Sequence, residues 1–367
     1  MSEAMTTDAS STDETIRRGA DPALVGPWLA EQLDDERWSR CRLQRIGGGR
    51  SNLTFRVDSD AGSVVLRRPP LGSVAASAHD MGREQRVMSA LGATAVPVPE
   101  VLAGAGEDGP LGAPFYVMEL VEGVIVVHEL PAGWADTPER RRRVSDALVD
   151  VLAALHAVDP ASVGLGEFGR PDGFMARQLR RWGGQWETWR EGQDRPALTA
   201  LTESLGARLP QVTSAESGPG TIVHGDYRID NVVYDAHDPG RLLAVLDWEM
   251  ATLGDPLADL GLMMVTWRQH DDAPEWTRAQ VLPGPTGVPG FPTRAEAVAR
   301  YAEVSGRSVA ELPWYVAFGC FKMAVVLAGI VARARAGHMP ADTAAGLDEA
   351  IDPLAELGDH VLRTRSF

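Results

Sequence analysis

The sequence predicts an α+β chain in two lobes: a small antiparallel sheet with one inserted helix over residues 21–121, then a larger, mainly helical part over residues 122–367. Three observations carry that expectation. Short apolar–polar alternations dominate positions 41–120, whereas long helical periods dominate from about 139 onward. At 367 residues the chain is too long for one compact core and fits one large or two medium domains. With 44% hydrophobic and 23% charged residues, its composition is that of a globular protein.

Residues 1–20 begin MSEAMTTDASSTDET, an acidic, Ser/Thr-rich stretch that reads as a disordered tail. It lacks the basic-then-apolar order of a secretory signal, and no uninterrupted run of about 18 apolar residues follows, so a cytoplasmic protein without a membrane span is expected. Residues 21–33 have a helix start and an apolar face. Residues 41–46 read as a strand, GGGRSN at 47–52 as a glycine-rich turn, 53–57 and 64–68 as two further strands of a meander. A helix is predicted over 79–91, then strands in PEVLAG and PFYVMEL. Beyond residue 123 come helices at 139–156 and 172–191, the latter with Trp182, Trp186 and Trp189 at i, i+4 and i+7, which predicts one buried apolar face. Short strands resume at TIVHG, NVVYD and LLAVLDW, and helices close the chain from residue 256.

Charge and cysteine usage narrow the function classes. Thirty-five basic against fifty-one acidic residues give a net charge of −16, which opposes nucleic-acid or anionic-membrane binding. Cys41 and Cys320 are far apart and fit neither a disulfide framework nor a zinc pattern. Lys322 is the only lysine, so nearly all positive charge is arginine.

The chemistry concentrates in HGDYRIDN, residues 224–231, pinned between the strands that end at Val223 and begin at Val232. Asp247 follows the next apolar strand, in LAVLDWEMATLGDPLADLG. An Asp at a strand end, with an Asn and an Asp on a neighbouring loop, supplies what a magnesium–nucleotide complex requires: hard oxygen ligands and one carboxylate left to orient a hydroxyl. Buried strand ends seldom carry so many charges without use. By contrast, a glycine-rich hairpin turn needs no ligand, Asp255 and Asp259 suit structural roles in capping a helix and bracing the loop, and His156 suits a packed or capping role.

These residues resemble the protein-kinase-like superfamily, and within it the aminoglycoside phosphotransferase and choline kinase branch. Asp226 and Asn231 reproduce the spacing of that catalytic loop's base and its magnesium-binding amide, and Asp247 matches the metal-binding Asp of the next strand. The resemblance implies a two-lobed kinase-like fold, with catalytic roles for Asp226 and Arg228 and magnesium held by Asn231 and Asp247. It implies nucleotide contacts from Gly47, Gly48, Gly49, Arg50, Ser51 and Asn52, from Arg67 paired with Glu84, and from a hinge of Glu119, Leu120 and Val121. Arg67 stands where the family usually has lysine, keeping the charge with a different geometry.

The implied reaction is transfer of the γ-phosphoryl group of ATP or GTP, with Mg²⁺, to a hydroxyl of a small molecule. VLRRPP, FMARQLRRWGGQWE and the two catalytic segments resemble the kinase-like part of certain acyl-CoA dehydrogenases and its stand-alone bacterial counterparts, which implies a hydroxyacyl-CoA acceptor. Arg177, Arg180, Arg181 and Trp182 are the candidate acceptor-binding residues, because an anionic acceptor should meet cations. A true aminoglycoside kinase and a non-catalytic nucleotide-binding pseudokinase are the alternatives; the oligomeric state is left open.

Overall fold

The computed structural model describes residues 19–46, 52–71, 80–190, 193–215, 220–281, 284–338 and 344–367. The predicted tail, apart from its last two residues, and Gly47, Gly48, Gly49, Arg50 and Ser51 of the predicted turn lie outside them. The chain divides into two compact units, Met1–Glu122 with Leu246–Glu249, and Gly123–Val245 with Met250–Phe367.

The first unit is built on a five-stranded antiparallel sheet, β1 (Cys41–Arg45), β2 (Leu53–Ser59), β3 (Gly62–Arg68), β4 (Val101–Ala105) and β5 (Phe115–Glu119), in the order β1-β2-β3-β5-β4. Alternation decides which face is buried: Leu53, Phe55 and Val57 of β2 turn into a core shared with Leu43, Leu66, Phe115 and Val117, while Thr54 and Arg56 do not. The helix Pro22–Gln32, capped by Asp21 accepting from the Ala23 N–H at 2.9 Å, closes that core with Val25 and Leu29. On the strand register Arg67 lies opposite Thr54 on one side and Tyr116 on the other, which fixes its position on the central strand. The helix Met81–Leu91 starts after its cap Asp80 and presents Glu84, Val87, Met88 and Leu91 inward.

The second unit is mainly helical and carries two short antiparallel pairs, β6 (Thr221–Val223) with β9 (Thr252–Gly254), and β7 (Val232–Tyr234) with β8 (Leu242–Val245). Its central helix, Leu312–Arg335, is long and apolar enough to cross a membrane, yet most of it is buried against Leu347–Thr364, Leu257–Thr266 and Phe174–Trp189, which is what a core helix does. Two elements had no counterpart in the sequence reading. The helix Pro196–Ala215 buries Leu198, Leu201 and Leu205, and β9 is three residues that become a strand only through pairing with β6. Trp182 and Trp186 are buried and Trp189 half-buried. Cys41 and Cys320 are free thiols.

Candidate active site

In the second unit the loop after β6 is held by its backbone. Asp259, 1% exposed on the helix Leu257–Thr266, accepts the N–H groups of His224 and Gly225, each at 2.7 Å. Its Oδ2 also lies 3.3 Å from His156 Nε2, and His156 Nδ1 lies 2.8 Å from the Tyr301 hydroxyl. Burial works against the Asp259 charge, but the hydrogen bond and charge of His156, with those of His224, hold its carboxyl below the usual range. Asp255 instead caps the same helix, accepting from the Leu257 N–H at 2.9 Å. Gly225 has φ +85°, and a Cβ there would come within 2.7 Å of Met250, so only glycine allows this turn.

The loop so braced presents a compact polar set. Asn231 Nδ2 donates to the Asp226 carbonyl at 2.8 Å and to its Oδ2 at 3.1 Å. Arg228 Nε lies 3.2 Å from Asp226 Oδ1, and its Nη2 lies 3.3 Å from Asp230. With its amide nitrogen spent on Asp226, Asn231 has Oδ1 left as a hard oxygen donor. Lys322, half-buried on Leu312–Arg335, donates to the Gly225 carbonyl at 2.6 Å and sits 5.4 Å from the Trp182 ring centroid. Nothing in the kinase resemblance pointed to Lys322, although a lone lysine inside an apolar helix is a signal in itself.

In the first unit one guanidinium serves three carboxylates. Arg67 pairs with Asp247, lies 3.0 Å from Glu84 through Nε, and 3.6 Å from Glu249. Asn52 Nδ2 joins the same group, 3.0 Å from Glu84 and 3.1 Å from Glu249, and the Tyr116 hydroxyl donates to Glu84 at 2.9 Å. Burial pushes Glu84 up to about 7, against the pull of Arg67 and Tyr116, and the neighbouring Asp247 and Glu249 add to the rise. Burial opposes the Arg67 charge too, but the surrounding carboxylates outweigh it and raise its pKa. Asp247 itself has φ +66°, a left-handed conformation uncommon for aspartate. Its Oδ1 meets Arg67, so Oδ2 is its second hard oxygen. Glu249, absent from the predicted set, was signalled only by its place two residues after Asp247.

At the predicted hinge, the Glu119 N–H is taken by the Glu100 carbonyl at 2.8 Å. The half-buried Leu120 and Val121 have no backbone hydrogen bond among the described residues. Of the predicted acceptor residues, Arg180 and Arg181 are exposed and Trp182 is buried. Arg177 donates to the carbonyls of Asp172 and Arg170, which ties two of its five donors to the chain's own backbone.

The phosphotransferase enzyme family profile matches residues 42–291, more than half of the chain, a range that includes Arg67, Asp226, Asn231 and Asp247. The chain belongs to the phosphotransferase enzyme family. A structure from Ralstonia eutropha that carries an aminoglycoside phosphotransferase name is 30% identical, with a TM-score of 0.78 over 94% of this phosphotransferase-family chain and 98% of the other. The mouse (Mus musculus) protein acyl-CoA dehydrogenase family member 10 is 32% identical over 320 residues, 86% of this chain and 28% of its own length. The chain thus spans less than half the length of the acyl-CoA dehydrogenase relatives it matches. A variant of aminoglycoside phosphotransferase APH(4)-Ia in ternary complex with ADP and hygromycin B shares the kinase-like α+β fold at 17% identity, with a TM-score of 0.57 over 94% of this chain and 99% of that one.

Proposed function

We propose that this family member is a small-molecule kinase that moves the γ-phosphoryl group of ATP, or GTP in its place, onto a hydroxyl of an anionic acceptor, a hydroxyacyl-CoA. The observation that supports it most is the braced loop, in which Asn231 and Arg228 hold the Asp226 carboxylate at 3.1 and 3.2 Å. Asp226 orients the acceptor hydroxyl and takes its proton, while Arg228 neutralises charge on the group in transfer. Leu120 and Val121 offer unpaired backbone groups to the base, and Arg67, kept protonated by its carboxylates, stands ready for phosphate oxygens.

Each unit holds a donor that fits magnesium: Asn231 Oδ1 in one and Asp247 Oδ2 in the other are hard oxygens left over from the bonds above. Magnesium usually takes one or two protein oxygens and keeps waters and phosphate oxygens in its shell. When bound, magnesium neutralises phosphate charge; the chain's part is to hold and orient.

Local charge supports the anionic acceptor. Arg180 and Arg181 are exposed on Phe174–Trp189, where Glu187 is already paired with Arg190 at 2.9 Å. The hygromycin B complex of APH(4)-Ia favours the second reading, an aminoglycoside acceptor. The test is mass spectrometry of purified protein with Mg-ATP and either 3-hydroxybutyryl-CoA or kanamycin. The thioester should be phosphorylated faster, and Asp226→Asn should lose at least about 100-fold in turnover while still binding Mg-ATP. Faster transfer to kanamycin overturns the acceptor; transfer to neither, with Mg-ATP binding intact, makes the chain a nucleotide-binding module instead.

A further inference from the structure

Lys322 and Trp182 belong to two different helices, Leu312–Arg335 and Phe174–Trp189, and meet beside the residue that precedes Asp226. Three features of this pair have no structural use. The ammonium gives one N–H to the Gly225 carbonyl and lies over the Trp182 ring, and among the described residues its other two N–H groups have no hydrogen-bond acceptor. The Trp182 ring is 6% exposed, and its indole N–H is buried without a hydrogen-bond partner, which native proteins rarely tolerate. Finally, a charged side chain stands in the middle of a long apolar helix, most of it buried, where a leucine or methionine would pack without desolvation cost.

A lysine whose only task was to prop the loop would account for the Gly225 bond. It would not account for the orphaned indole N–H at its side. Three unspent N–H donors in one place, two of them on an ammonium, call for an oxygen acceptor from outside the chain, charged or strongly polarised. The surroundings agree. Burial lowers the Lys322 pKa; Asp226 and Asp259 oppose the shift, while Arg181 and Arg228 lie near enough to add to it. An incoming oxygen anion would relieve that crowding of cations.

We propose that Lys322 and the Trp182 indole N–H form a hydrogen-bonding subsite for an acidic or carbonyl oxygen of the acceptor, so that the acceptor carries a carboxylate or thioester carbonyl close to the hydroxyl that faces Asp226. The proposal rests on the kinase reading above and names the specificity determinant of its acceptor. A neutral alcohol of the same size offers these donors no charged or carbonyl oxygen, only a weaker hydroxyl acceptor, and is disfavoured, because a site built to hydrogen-bond a group discriminates strongly against its absence.

The experiment is calorimetric titration, without nucleotide, of the full chain with 3-hydroxybutyryl-CoA, 3-hydroxybutyrate and butane-1,3-diol. The two acids separate a thioester carbonyl from a free carboxylate as the preferred oxygen, and the diol offers the same hydroxyl without either. The wild type should bind at least one acid and bind the diol at least about 10-fold more weakly. Trp182→Phe, which keeps the ring and deletes the N–H, and Lys322→Met, which keeps the length and deletes the charge, should each raise Kd at least about 10-fold, with Lys322→Arg restoring most of the affinity. If Lys322→Met does not fold, Trp182→Phe decides alone. Wild-type affinity in Trp182→Phe, or a diol bound as tightly as the acids, overturns the subsite. Failure of the kinase reading would show elsewhere, as absence of phosphate transfer from Mg-ATP by a protein whose binding selectivity is intact.

Discussion

Asp259 offers the sharpest test of how the catalytic loop is held. Replacing it by asparagine keeps the volume but turns one oxygen into an NH₂ group, which then faces a backbone N–H instead of accepting from it. The wild-type carboxylate accepts from His224 and Gly225 at 2.7 Å each while 1% exposed, so one buried N–H loses its partner and the other loses a charged one. At about 1–3 kcal/mol for an orphaned buried donor, Asp259→Asn should cost about 2–3 kcal/mol. That lowers the melting temperature by roughly 4–12 °C for a unit of this size. Turnover should fall by more than stability explains, on the order of 100-fold at a temperature where the variant is folded, because misplacing a reacting group by about 1 Å costs that much. The acid limb carries a second signature. The Asp259 carboxyl is held below its usual range, so its stabilisation is complete above about pH 4 and is lost as pH falls through the depressed value; Asp259→Asn should lack that part of the slope. Scanning fluorimetry from pH 3 to 8, paired with the phosphate-transfer assay, reads all three. Unchanged melting with unchanged turnover would refute the brace.

Three further outcomes follow from the cluster around Arg67. Glu84, raised from 4.5 to about 7, stabilises the fold when protonated; that contribution is full below about pH 4.5 and is lost as pH rises to about 7, a change of about 3 kcal/mol, so Glu84→Gln should flatten urea midpoints across that window. Arg67→Ala should raise the KM for ATP, whereas Arg67→Lys, which keeps the charge, should retain much of the activity; equal losses in both would remove Arg67 from phosphate binding. Asp247→Ala should weaken binding of Mg-ATP far more than of metal-free ATP in a titration, and equal weakening would make Asp247 a structural residue.

How much of this was legible in the sequence depends on how far apart the interacting residues are. The meander β1 to β3, the helix with Glu84 and the loop from His224 to Asn231 are local, and alternation, capping and spacing announced them. The helix Pro196–Ala215 had its signal, proline in the first turn and leucines at i, i+3 and i+7, and was passed over. β9 had none, since three residues ending in glycine become a strand only by pairing with β6 some thirty positions earlier. The grouping of Leu246–Glu249 with the first unit likewise follows from Arg67 and Asn52 reaching Asp247 and Glu249, about 180 to 200 residues away in sequence. Arg177 was read as a cation for substrate; its bonds to the carbonyls of Asp172 and Arg170 were not announced by the sequence, because backbone acceptors carry no residue signature.

The two kinds of cation in the chain stand where their shapes are needed. At position 67 three carboxylates converge from the helix Met81–Leu91 and the segment Leu246–Glu249, and they approach from different directions: Glu84 at Nε, Asp247 and Glu249 at Nη2. A planar fork meets such a set at several corners at once, and an ammonium, a compact point charge, would have to favour one of them. Position 322 poses the opposite demand. One carbonyl at 2.6 Å fixes the group, an indole face lies on one side, and the remaining donors must turn toward whatever the loop is given. A tetrahedral ammonium on a flexible stem does this, and a rigid fork fixed by that carbonyl would aim its other donors only within its own plane. The sole lysine of a chain that otherwise uses arginine throughout thus stands where the proposed subsite would need a point charge on a flexible stem.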